Sequence, residues 1–214
     1  MPLSCRYAPL APKPDHGAGA VRFHRQFDHR YGAQMVRVLP GDFYVTDAPD
    51  EMIVTVLGSC VAACVRNPWN GFGGLNHFLL PAGLLDEGED DDRGLRYGDF
   101  AMEALINAVL KSGCQRQELE IKLFGGADVL GGISQVGSKN AEFAIEYLRN
   151  EGLEPVVSDL GGRSGRRIHY CPTTGKVQRL LLQRRIELEV VRDEAFYASR
   201  IANAPIEGTI ELFE

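Results

Sequence analysis

The run Met52-Ile53-Val54-Thr55-Val56-Leu57, closed at once by Gly58, constrains this chain more than any other segment. Consecutive apolar and β-branched residues over so short a span read as a buried strand. Regular structure starts shortly before it, at Met35 to Leu39, and breaks at Pro40-Gly41. Phe43 to Thr46 reads as a short strand or edge. Val61 to Val65 and Leu75 to Leu80 read as two more strands, separated by the turn cluster Asn67-Pro68-Trp69-Asn70-Gly71.

Helical spacing of Met102, Leu105, Ile106, Val109 and Leu110 predicts a helix from Tyr97 to Ser112, with Gly113 as its cap. A second amphipathic helix is expected from Asn140 to Asn150, with Ser138, Lys139 and Asn140 as its N-terminal cap. Glu120 to Phe124, Pro155 to Asp159, Arg167 to Cys171 and Val177 to Val191 supply further strands, the last two joined by a turn at Thr174-Gly175. Asp86 to Asp92 reads as a solvated acidic loop. The organisation expected is an N-terminal tail over 1–33, partly mobile, one domain over 34–192, and a C-terminal extension over 193–214 that packs on it as a short helix and a final strand. The fold class is α/β in the broad, α+β sense, with a mixed, largely antiparallel β-core and two main helices packed outside.

Composition narrows the function. A formal charge of −6, from 23 Lys+Arg against 29 Asp+Glu, argues against a nucleic-acid surface, which needs a basic excess. The five cysteines have no repeated spacing, so a disulfide framework is not expected. No signal peptide is evident in Met1 to Gly19, and no segment has the apolar length to insert in a membrane. A reducing cytoplasm, with thiols free to react, is the expected setting.

Chemistry concentrates at Leu57-Gly58-Ser59-Cys60-Val61. A cysteine on a glycine-enabled bend after a strand is lifted from the sheet, among backbone N–H groups able to hold an oxyanion. The expected donors lie around Gly58, Ser59 and Val61. A thiol needs a neighbouring base to react at neutral pH. If Val61–Val65 and Leu75–Leu80 form a hairpin about Pro68-Trp69, residue 60 pairs with 77, and Cys60 and His77 sit side by side on one face. A one-residue slip would separate them. Two other readings compete: Cys60 as a small buried hydrophobe, and zinc held by Cys60, Cys64, His77 and His169 or Cys171. The second fails on geometry, because strand positions i and i+4 lie about 13 Å apart.

The string Thr55-Val56-Leu57-Gly58-Ser59-Cys60-Val61, with Gly73-Gly74-Leu75-Asn76-His77-Phe78-Leu79-Leu80-Pro81, resembles the signature of the CheD family of chemoreceptor glutamine deamidases. Lys122-Leu123-Phe124-Gly125-Gly126-Ala127, Asn140, Asp159-Leu160-Gly161-Gly162-Arg163, Gly165-Arg166-Arg167 and Thr174-Gly175-Lys176-Val177 extend the match across Gln34 to Leu182. The resemblance implies a layered sandwich and a Cys-His-Thr triad of Cys60, His77 and Thr55, without metal or cofactor. Thr55 stands five residues before the cysteine, where some members place the threonine six before. Asn76, Gly125, Gly126 and Arg163 are expected on the substrate side, with Arg166 and Arg167 in the same loop. The implied activity is that of a protein-glutamine glutaminase on the cytoplasmic helical region of methyl-accepting chemotaxis receptors, with a CheC-type phosphatase as a further partner. From another class, the alternative is a non-catalytic adaptor that binds receptors or that phosphatase.

Overall fold

The computed structural model describes residues 23–80, 91–129, 135–182, 189–190, 192–197 and 199. Its strands are β1 (His24–Asp28), β2 (Ala33–Arg37), β3 (Phe43–Thr46), β4 (Glu51–Leu57), β5 (Val61–Arg66), β6 (Gly73–Asn76), β7 (Glu120–Gly125), β8 (Val157–Leu160), β9 (Arg166–Cys171) and β10 (Lys176–Leu181). The helices are α1 (Asp91–Leu110), between β6 and β7, and α2 (Val136–Asn150), between β7 and β8. The strands form two five-stranded sheets, ordered β1-β2-β4-β9-β10 and β3-β6-β5-β7-β8. Most pairings are antiparallel. The parallel pairs are β2/β4 and β7/β8, and each follows from its crossover. The chain leaves β2 to build β3 in the other sheet before returning as β4, and α2 carries it from β7 to β8.

Burial sets the layers. Alternate residues of β4 point inward, Ile53, Thr55 and Leu57 being buried while Met52, Val54 and Val56 are half-buried. β5 is closed on both faces. Ala62 and Cys64 face the first sheet, in a cluster with Ile53, Leu57, Ile168 and Tyr170. Val61, Ala63 and Val65 face the helices, packing with Leu105, Ile106, Val109, Ala144 and Leu148. Each fully buried Leu, Ile or Val contributes about 1.5–3 kcal/mol, so this helix-facing side, more than intrinsic propensity, holds α1 and α2 in place. The order is sheet, sheet, helices, a layered α+β fold with both main helices outside. Among the described residues, no helix is long and apolar enough to cross a membrane.

Several boundaries differ from the sequence reading. The β5–β6 hairpin does not turn at Pro68-Trp69. Asn67 N–H donates to Phe72 O at 2.8 Å and Gly71 N–H to Asn67 O at 3.0 Å, so residues 68–71 form the loop. Cys64 therefore stands opposite Leu75, and a bridge links Val61 to Phe78. The register is displaced by two residues, and an even displacement leaves every side chain on its expected face.

Secondly, α2 begins four residues early, with Gln135 at its N-cap. Ser138, Lys139 and Asn140 are inside the helix, and the buried Asn140 caps nothing. Thirdly, β10 ends at Leu181, and residues 189–190, where the sequence reading continues the strand, are helical, as are 192–197. α1 opens at Asp91, absorbing Asp91 and Asp92 from the expected acidic loop. The rest of that loop, residues 1–22 of the tail and the expected final strand over 201–214 lie outside the described residues. Residues 24–28, counted with the tail, pair with β2.

Arg166 and Asp159 join the two sheets. Arg166 is buried on β9 and donates to Asp159 Oδ1 on β8 at 2.8 Å, while Arg179 of β10 reaches Asp159 Oδ2 at 2.7 Å.

Gly125, at the end of β7, is where the backbone passes closest behind Cys60. Its φ is +116°, and a Cβ there would stand 2.1 Å from the Cys60 carbonyl oxygen. Strain of this kind costs about 1–3 kcal/mol before the clash is counted. Gly125→Ala is therefore expected to lower stability by about 2 kcal/mol or more, read as a fall in the urea midpoint at unchanged slope. An unchanged midpoint would show that the crossing has room to give.

Candidate active site

The segment Gly58-Ser59-Cys60 links β4 to β5, and its carbonyls are fixed from behind. Gly58 O accepts from Ala127 N–H at 2.8 Å, and Cys60 O accepts from Gly126 N–H at 2.7 Å. Ser59 O accepts from the Asn140 side-chain amide at 3.0 Å, and the same side chain takes the Leu80 N–H at 2.7 Å. In a trans peptide a carbonyl and the following N–H point in opposite directions. Pinning Gly58 O and Ser59 O toward β7 and α2 therefore aims the N–H groups of Ser59 and Cys60 the other way.

Those N–H groups converge with that of Gly58 on one carboxylate, that of Glu194. Gly58 N–H donates to Glu194 Oε1 at 2.8 Å and Cys60 N–H to the same oxygen at 3.2 Å. Ser59 N–H reaches Oε2 at 2.8 Å and the Ser59 hydroxyl at 2.6 Å. Gly58 permits the approach, since a Cβ at that position would lie 2.9 Å from the carboxylate.

His77 follows β6, fixed by its main chain: Gly41 N–H donates to His77 O at 2.7 Å and His77 N–H to Asp42 O at 3.0 Å. Its Nδ1 lies 2.8 Å from Thr55 Oγ1, and that hydroxyl also lies 2.9 Å from Val38 O. A carbonyl only accepts, so the single hydroxyl proton goes to Val38 O. Thr55 Oγ1 is then left to accept from Nδ1–H, which makes Nε2 the unprotonated ring nitrogen. Nε2 is buried and without a hydrogen-bond partner. Coordinating-type atoms of Cys60, His77 and Glu194 all lie within 4.8 Å of one another. Thr55 comes from the inward face of β4, so the five-residue offset brings it into the cluster.

Electrostatics favour neutral partners in this state. Burial pushes the Cys60 thiol well above its ordinary range, and the adjacent Glu194 carboxylate pushes it further. Burial lowers the His77 imidazole, against the opposing pull of Glu194. Burial thus favours the uncharged form of both groups, with Glu194 reinforcing it at the thiol and opposing it at the imidazole.

Several expected contacts serve the fold instead. Val61 N–H donates to Phe78 O at 3.0 Å, so the available donors are those of Gly58, Ser59 and Cys60. Asn76 spends its amide on Ala63 N–H and Ala101 O, tying β5 to α1. Gly125 and Gly126 stand behind Cys60. Arg163 is exposed and does not line the adjoining cleft of about 540 Å³, whereas Arg167 does, together with Arg37, Pro40, Asp42 and Tyr197. Cys64 points into the core between the sheets, away from a shared site with Cys60. Cys60, His77 and Glu194 carry donors suited to a metal, but both Glu194 oxygens face N–H and O–H protons, an environment built for an anion. Glu194 and Asn140 are the site residues that sequence reasoning missed. Glu194 has no motif around it and lies more than 130 positions from its partners.

The fold and cluster define a class: a layered α+β protein with a buried thiol, imidazole and hydroxyl grouped beside a backbone anion nest. The family described as "CheD chemotactic sensory transduction" matches residues 79–180. A protein of Halorhodospira halophila named "Probable chemoreceptor glutamine deamidase CheD" is 46% identical over 94% of each chain. One of the same name from Rhodopseudomonas palustris is 47% identical over 91% of this chain and 90% of its own, and one from Thiobacillus denitrificans 42% over 87% and 93%. Among solved structures, the Bacillus licheniformis hypothetical protein YfiH overlaps 55% of this chain and 49% of its own at 14% identity, with a TM-score of 0.36. The chain belongs to the CheD family.

The thiols differ enough to be ranked. Burial pushes the half-buried Cys171 up, but hydrogen bonds from Thr173 and Thr174 outweigh it and leave that thiol below its ordinary range. Cys60 and Cys64 are fully buried, and both are raised. Iodoacetamide at neutral pH, with sites mapped by peptide mass spectrometry, is expected to alkylate Cys171 ahead of Cys60 and Cys64. Cys60 reacting first would show that its thiolate is already formed and accessible.

Proposed function

We propose that this chain is a protein-glutamine glutaminase that converts glutamine side chains on the cytoplasmic helices of methyl-accepting chemotaxis receptors to glutamate. The observation that carries the reading is the Thr55–His77 hydrogen bond, which leaves Nε2 unpartnered in a cluster whose His77 and Cys60 ligand atoms lie within 4.8 Å of each other. The names borne by the relatives support the substrate class. A cytoplasmic setting belongs to the same proposal.

The geometry supports the following mechanism. Thr55 holds the tautomer in which Nε2 is the base. A neutral carboxamide replaces the charge now beside Cys60, and His77 then takes the thiol proton. The thiolate attacks the carboxamide carbon. The developing oxyanion is held by the N–H groups of Gly58, Ser59 and Cys60, each donor of this kind being worth about 3–4 kcal/mol of barrier. His77 returns its proton to the departing ammonia and next activates water, which cleaves the thioester to leave glutamate. An adaptor has no use for this relay. A CheC-type phosphatase remains a partner of the proposed enzyme rather than a substitute for its chemistry.

Two experiments test the reading. A purified receptor cytoplasmic fragment incubated with wild type is expected to gain about 1 Da at particular glutamines, with no gain for Cys60→Ala or His77→Gln. Receptor bound but unchanged by the wild type would leave the adaptor alternative standing. For the positioning residue, Thr55→Val is expected to lower kcat/KM by roughly 10²-fold, within the range for mispositioned acid–base groups, and Thr55→Ser to restore most of it. Equal losses in both variants would assign Thr55 to packing alone.

A further inference from the structure

The Glu194 carboxylate occupies the place where the proposed mechanism needs a substrate. It is a side chain of the product's own kind, and it is buried at 4% exposure. It accepts from all three backbone N–H groups of the nest and from the Ser59 hydroxyl. It is also presented from a helical segment, residues 192–197. A second anchor lies on the same segment, at i+3. The Tyr197 hydroxyl bonds the Tyr97 hydroxyl and stands over Gly41, whose φ is +89° and where an added Cβ would collide with it. A surface acid with no role would not be enclosed by so many donors, since burying a carboxylate is costly unless its oxygens are fully paired.

We propose that residues 192–197 are a built-in product mimic, with Glu194 in the subsite that takes the substrate glutamine side chain, so that this segment competes with receptor for Cys60. The inference rests on the deamidase reading and deepens it. The subsite recognises a side chain presented by a helix, entering across Gly41 and the cleft toward Gly58. Tethering strengthens the competitor, because a linked segment acts at an effective concentration on the order of millimolar. Receptor gains access when the segment leaves. Burial raises the Cys60 thiol, and the charge that the segment brings beside it raises it further, which fits a resting state.

A glutamine placed at position 194 would then be a substrate in cis. In Glu194→Gln, the Cys60 sulfur bonds the carbonyl carbon of the introduced carboxamide, and the C–N bond breaks. Ammonia leaves with the proton that His77 took from the thiol, and water cleaves the thioester to give glutamate and the free thiol.

The test uses the full chain as wild type, Glu194→Ala, Glu194→Gln and Glu194→Gln with Cys60→Ala. Iodoacetamide labelling of Cys60 is followed with Cys64 as the internal reporter of unfolding, alongside receptor deamidation and the mass of the peptide holding residue 194. Cys60 is expected to label at least tenfold faster in Glu194→Ala with Cys64 still protected, and kcat/KM on receptor to rise several-fold. The Glu194→Gln chain is expected to gain about 1 Da at position 194, in a reaction that requires Cys60 and does not depend on protein concentration. Unchanged Cys60 labelling with Cys64 protected would overturn the inference. So would loss of receptor turnover in Glu194→Ala with Cys64 protected, which would put Glu194 among the residues that assist the reaction. Faster Cys60 labelling with no deamidation of receptor by any variant, and none at position 194 in Glu194→Gln, would overturn the deamidase reading and the product mimic with it, leaving only an occluded thiol.

Discussion

The site depends on the carbonyl tethers behind Gly58-Ser59-Cys60. Ala127, Gly126 and the Asn140 side chain hold the carbonyls of Gly58, Cys60 and Ser59 against the end of β7 and the start of α2. Planar trans peptides transmit that constraint to the opposite side, where the N–H groups of Ser59 and Cys60 emerge aligned. Preorganised donors are effective because they need no reorganisation when charge develops. The scaffold that supplies them is the β5–β7 pairing, with Gly125 letting the two chains cross closely enough for the bonds to form. Removing the tethers would leave the cysteine in place and the donors unaimed.

Much of this was legible in the sequence, for reasons of parity. Strand side chains alternate, so a hairpin register wrong by two residues still places Cys60 and His77 on one face of the second sheet. Asn67 accepting from Trp69 N–H and the turn at Gly71 lengthen the loop beyond a two-residue reading, but by an even step. The same logic was less helpful for Thr55. In one unbroken strand an offset of five rather than six would turn Thr55 to the opposite face, yet Gly58 and Ser59 leave the strand, and alternation does not carry across a bend. What matters is that Thr55 shares the inward face of β4 with Ile53 and Leu57.

The less legible parts are long-range. Asn140 stands at the position a helix cap would occupy, and only the early start of α2 from Gln135 turns it into a bridge between Leu80 and Ser59. Asn76 sits beside His77 in the motif and looked like a recognition group, yet both ends of its amide are used within the fold. Proximity in a motif does not distinguish the residues that face a cleft from those that brace it. Glu194 carried no local signal at all, being one acid among 29 Asp and Glu. Its meaning comes from the donors around it.

Charge explains why one nest suits both a resting state and a reaction. Donors arranged for an oxyanion also favour a carboxylate, so glutamate binds the same three N–H groups that would stabilise the transition state. A bound carboxylate raises the neighbouring thiol, opposing thiolate formation, whereas a neutral carboxamide removes that opposition while keeping an oxygen in the nest. The difference between substrate and product is thus one charge placed a few ångströms from the sulfur. In a buried site that charge is weakly screened, and it adds to the effect of burial in keeping Cys60 a thiol rather than a nucleophile.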